Sequence, residues 1–72
     1  MQSLNNINSG QRATIVAIEG TDAVVHYLKD IGMLIGSQIE MLYKSSPSMV
    51  KFGNTKLALS NSVLERILVQ TL

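Results

Sequence analysis

His26 is the only imidazole in the chain, and Asp22 and Asp30 stand four residues to either side of it. At i, i+4 and i+8 of a helix these side chains share one face. One imidazole and two carboxylates are acceptable donors for a first-row divalent cation. Two turns of helix, however, separate Asp22 from Asp30 by about 12 Å at 1.5 Å per residue, so one ion cannot bridge all three. Lys29 lies in the same stripe and repels a cation. At best a two-ligand site remains. The expectation is therefore a solvated face with no metal site, on which His26 shares charge with its carboxylate neighbours.

Other reactive combinations are absent from the sequence. With no cysteine there is no disulfide framework, thiolate zinc cluster or thiol nucleophile. Ser45, Ser46, Ser48, Ser60 and Ser62 fall where loops and helix caps are expected, and turn and capping duties account for them. No nucleophile elbow and no phosphate-binding glycine loop occurs. The inventory of catalytic parts is empty, so the expectation is a protein that is not an enzyme and carries no cofactor.

A segment suited to recognition is easier to find. Met33, Leu34 and Ile35 are three consecutive large apolar residues between Gly32 and Gly36. All three cannot easily face inward. Two of them can plug the end of a core, or Met33 and Ile35 can contribute to an exposed docking patch. Tyr43, able to present its ring while its hydroxyl stays wet, raises the same question, as do Met41 and Met49. Lys44 belongs with Arg12, Lys51, Lys56 and Arg66, which an acidic surface or lipid headgroups could receive. Ordinary solubility and protection of a strand edge explain them better. Met33, Leu34, Ile35, Tyr43 and Lys44 are therefore the candidate partner-binding residues.

These residues must be positioned by a very small structure. The chain has 72 residues, 46% of them hydrophobic, and a formal net charge of +1. Residues 1–72 are read as a single domain, which at this size buries only about 60% of its unfolded surface. Almost all its apolar side chains are needed for one core. The near-balanced charge and three aromatics, Tyr27, Tyr43 and Phe52, argue against a nucleic-acid binder, which needs a basic groove and stacking rings. No apolar run reaches the roughly 18–20 residues of a membrane span, and the Asn-rich start lacks the pattern of a secretory signal. A cytoplasmic location is expected.

Along the chain, the first eleven residues read as an extended lead-in or one helical turn, anchored by Leu4 and Ile7. Residues 13–18, bounded by Gly10 and Gly20, form a β-branched strand with apolar residues on both faces. Thr21 or Asp22 caps a helix with Val24, Leu28 and Ile31 on one face, and Gly32 ends it. Alternation then returns, with Ile39, Met41 and Tyr43 pointing one way and Leu42 out of pattern. Gly53-Asn54 closes a hairpin between residues 49–52 and 55–59. Ser62 to Glu65 has capping-box spacing, and Ile67 and Val69 supply a last strand. The expectation is a mainly β protein: a small five-stranded barrel with one short helix inserted after the first strand, its closure hiding the edges.

The full order of these pieces resembles the FeoA family of ferrous iron transport proteins. The most specific parts are Gly32-Met33-Leu34-Ile35-Gly36, Pro47, and Leu57-Ala58-Leu59 followed by Ile67 and Val69. Ile35 stands where the family usually has proline, and Ser60 where a basic residue is frequent. The resemblance implies an SH3-like barrel and a cytoplasmic, non-enzymatic accessory protein. The implied partner is the membrane transporter FeoB, through its cytoplasmic GTP-binding portion. The same barrel occurs as a C-terminal domain of iron- and manganese-dependent repressors, so a detached repressor domain is an alternative, as is a small nucleic-acid-binding barrel. Self-association through an exposed strand edge stays open, which makes a homo-oligomer a further expectation.

Overall fold

The computed structural model describes residues 1–72. Its strands are β1 (Gln2–Ser3), β2 (Arg12–Ile18), β3 (Gln38–Tyr43), β4 (Ser48–Phe52), β5 (Thr55–Leu59) and β6 (Ile67–Thr71). Helix α1 (Ala23–Asp30) follows β2, and the single turn α2 (Asn61–Leu64) precedes β6. All pairings are antiparallel, in the order β1-β6-β2-β3-β4-β5. The expected five strands are present, and a two-residue sixth, β1, adds to them. Gln2 and Ser3 have no apolar alternation to announce a strand. They pair with Val69 and Leu68, and Leu4 and Ile7 beyond them anchor the segment in the core.

Each long strand gives one face to that core. Ala13 and Ile15, Ile39 and Met41, Val50 and Phe52, Leu59, and Ile67 and Val69 meet in a cluster of 14 buried residues. Side chains from the two ends of the ladder can share one cluster only if the sheet curls on itself, which the right-handed twist of strands favours. Leu28 from α1, Leu64 from α2 and Met33 fill the interior.

Two irregularities set which residues face out. The β2–β6 register shifts between Ile15 and Ala17, and the β3–β4 register shifts between Met41 and Tyr43. A bulge places one extra residue on its strand and reverses the in–out alternation beyond it. Leu42, out of pattern in the sequence, sits in the second bulge. Tyr43 therefore points outward, contrary to the expectation that it shares the face of Ile39 and Met41.

Helix α1 turns Val25 and Leu28 inward, with Ile31 half-buried after its end, and leaves Val24 exposed. The helix is thus rotated by part of a turn from the face defined by Val24. Asp22, not Thr21, is its N-cap, its side chain accepting from the Val25 amide at 3.3 Å. The expected capping box at Ser62 does not form. α2 begins two residues earlier, with Ser60 as N-cap, its carbonyl receiving the amides of Val63 and Leu64. Ser48, expected in a loop, opens β4 and is buried, with its hydroxyl accepting from the Ser45 amide and donating to the Ser45 carbonyl.

Candidate functional site

The glycine-bounded turn after α1 resolves residue by residue. The Met33 amide donates to the Leu28 carbonyl at 3.0 Å, which carries the chain back under the helix and drives the Met33 side chain into the core at 0% exposure. Met33 is therefore corrected from a docking candidate to a core residue. Leu34 and Ile35 go the other way, at 54% and 66% exposure. Their backbone is held firmly. Ser37 donates to the Leu34 carbonyl at 3.0 Å, Gly36 to Ile15 at 2.7 Å, and Ile15 to Ser37 at 2.9 Å. Two large apolar side chains thus stand in solvent on a turn stitched to β2.

A shallow trough lies beside this turn. It has a volume of about 600 Å³ and is lined by Ile31 and Gly32 on one side, Ser37 and Gln38 below, and Phe52 to Thr55 of the hairpin tip on the other. Gly32 and Ser37, which bracket the Met33–Gly36 segment, line the trough, so the turn that carries Leu34 and Ile35 adjoins it. Sequence reading missed the contribution of Ile31 and of the hairpin tip, because only the curl of the sheet brings them together.

Tyr43 and Lys44 do not join this group. They lie at the far end of β3, roughly 17 Å of extended chain from Gln38 at about 3.3 Å per residue. The Tyr43 ring is 53% exposed and stands opposite Met49. Lys44 is exposed, yet its ammonium donates to the Asn5 carbonyl at 2.8 Å and its amide to Ser9 Oγ at 3.0 Å. The five candidates therefore divide into one buried residue and two separate exposed pairs.

The stripe Asp22, His26 and Asp30 is occupied at one end. Arg66 donates to both Asp22 oxygens, at 2.8 and 3.2 Å, and through Nε to the Glu19 carbonyl at 3.1 Å. With the Val25 amide also on Oδ1, the Asp22 carboxylate is committed to the helix start. Arg66 is likewise removed from the set of free surface cations. The hydrogen bonds from Arg66, and then that from Val25, hold the Asp22 carboxyl below its ordinary value of 3.8. A depressed carboxyl contributes stability that is present above the ordinary value and is lost as pH falls through the lowered one. Asp22→Asn keeps a capping oxygen and removes the charge. Its denaturation midpoint should accordingly fall less than that of the parent protein between about pH 4 and pH 2.

A second, smaller depression of about 180 Å³ on the outer sheet face is lined by Arg12, Gln38, Glu40 and Lys51 among others. Neither depression gathers a nucleophile with a base.

Residues 2–71 match the family model described as FeoA domain. The chain belongs to the FeoA family. Among solved structures, an iron uptake regulatory protein (FeoA) superposes with a TM-score of 0.88 at 22% identity, covering 99% of this chain and 96% of that one. FeoA of Stenotrophomonas maltophilia, complexed with zinc and described as a prokaryotic SH3 domain protein, gives 0.86 at 25% identity over 97% and 90%. A manganese-dependent transcriptional repressor gives 0.90 at 20% identity, covering 99% of this chain and 41% of that one. A search of curated proteins found no match. The mainly β fold is thus SH3-like, and family membership ties the chain to ferrous iron transport. No helix of this FeoA-family chain is long and apolar enough to cross a membrane.

Proposed function

We propose that this FeoA-family chain is a non-enzymatic, cytoplasmic accessory protein of ferrous iron uptake that docks to the cytoplasmic portion of the FeoB transporter. The observation that carries this reading is the exposed Leu34–Ile35 pair on a turn fixed to β2. A preorganised apolar pair next to a trough loses little freedom on binding, and a few such side chains dominate the affinity of a protein interface. The trough beside it would take the partner's own apolar side chain against Ile31 and Phe52.

Titration of the transporter's cytoplasmic portion with the parent protein and with the double variant Leu34→Ser, Ile35→Ser tests this. Both side chains are exposed, so the variant should unfold within about 0.5 kcal/mol of the parent per site. Its affinity should fall at least tenfold, since loss of a central interface residue costs above about 1 kcal/mol. Equal affinity for parent and variant would remove the turn from the interface. Absence of binding by the parent would remove the docking role.

The nucleic-acid alternative is weakened by the burial of Phe52, which reduces the stacking inventory to Tyr27 and Tyr43. A detached repressor domain shares the fold but has no further observation in its favour.

A further inference from the structure

The outer edge of β5 is the long unpaired edge of the sheet: β5 pairs only with β4, and the opposite end is the two-residue β1. The two-residue turn at Gly53-Asn54, with positive φ at Gly53 alone, closes the hairpin on a bonded Phe52–Thr55 pair. Alternation along an antiparallel ladder then directs the amides and carbonyls of Lys56 and Ala58 away from β4.

Two rows of side chains run from this edge across the outer face. Lys56, Lys51, Glu40 and Arg12 stand directly opposite one another on β5, β4, β3 and β2. That row holds three cations and one carboxylate, and none of the cations is in an ion pair, the single pair of the chain being Arg66–Asp22. The neighbouring row is apolar, with Ala58, Met49 and Tyr43 in register.

We propose that the β5 edge receives an extended acidic segment of a partner protein, which adds a strand to the sheet. The segment's backbone bonds to Lys56 and Ala58. One of its carboxylates stands opposite Lys56 within reach of Lys51, and an apolar side chain two positions along stands opposite Ala58, next to Met49. Charge selects this occupant over a second copy of the chain. Antiparallel self-pairing about Leu57 would set Lys56 of each copy opposite Ala58 of the other. The two Lys51–Lys56 pairs would then crowd one face with no carboxylate between them. The proposal stands whichever protein supplies the segment, and its site is separate from the Leu34–Ile35 turn.

The test is amide hydrogen exchange, read by NMR on the whole chain with a capped Thr-Val-Thr-Glu-Thr-Val-Thr peptide, which sets glutamate and valine two positions apart on one face, and with its counterpart carrying lysine in place of glutamate. The glutamate peptide should slow exchange at Lys56 and Ala58, and the lysine peptide should not. Lys56→Glu should weaken the glutamate peptide about fivefold and improve the lysine peptide, in line with cross-strand charge pairs. Ala58→Pro, which deletes one outward amide on an edge strand and leaves the β4 ladder bonded, should abolish the protection. Equal effects of the two peptides, or of neither, overturn the proposal. So does protection at Lys56 and Ala58 that rises with concentration of the protein alone, which marks self-pairing. Edge binding of the glutamate peptide without binding to the transporter leaves this inference standing and removes the docking role above; the reverse result does the opposite.

Discussion

Met33→Ala is expected to lower the free energy of unfolding by about 2–5 kcal/mol, and Leu34→Ala, one residue on, to change it by less than about 0.5 kcal/mol. Met33 has no exposed surface and packs in the same cluster as Leu28, Ile39 and Met41. Truncation there removes apolar contact and leaves a void that so small a core has few side chains to fill. A domain of this length has roughly 4–11 kcal/mol in total at about 0.05–0.15 kcal/mol per residue. The first substitution therefore approaches a large fraction of the whole, and the second is hidden by it. Urea denaturation with an unchanged m-value reads the difference directly. Similar losses at both positions would mean that the turn packs as a unit, and the exposed pair would no longer be free for a partner.

The contrast between these neighbours also shows what one chain of letters can and cannot convey. Three apolar residues between two glycines announce a turn, but not which of them goes inside. That choice is made by the Met33 amide finding the Leu28 carbonyl, a contact whose direction depends on how α1 is seated. The same limit explains α1 itself, where Val24 and Val25 are equally apolar and only the position of the helix on the sheet decides between them. Strands with clean alternation, the hairpin at Gly53-Asn54 and the helix before Gly32 were legible because local patterns determine them. The bulge at Leu42 was visible only as a break in alternation, and its consequence for Tyr43 needed the β4 partner. The cross-sheet row from Arg12 to Lys56 and the grip of Arg66 on Asp22 depend on registers between distant segments, which no local pattern encodes.

Gly20→Ala is expected to destabilise the protein by more than Gly36→Ala does. Both glycines have positive φ, +105° and +93°, so each substitution carries the backbone penalty of about 1–2 kcal/mol for an L-residue there. They differ in their surroundings. A Cβ at Gly36 meets open space, whereas one at Gly20 would overlap the Arg66 guanidinium. Arg66 would have to leave the Glu19 carbonyl and the Asp22 carboxylate together, freeing the loop between β2 and α1 from the start of β6. The excess should disappear in an Arg66→Ala background, where only the backbone penalty survives, so the two substitutions should be strongly non-additive. Simple additivity would show that Arg66 swings aside without consequence. In that case the ion pair is surface ornament, and Asp22 holds the helix start through the Val25 amide alone.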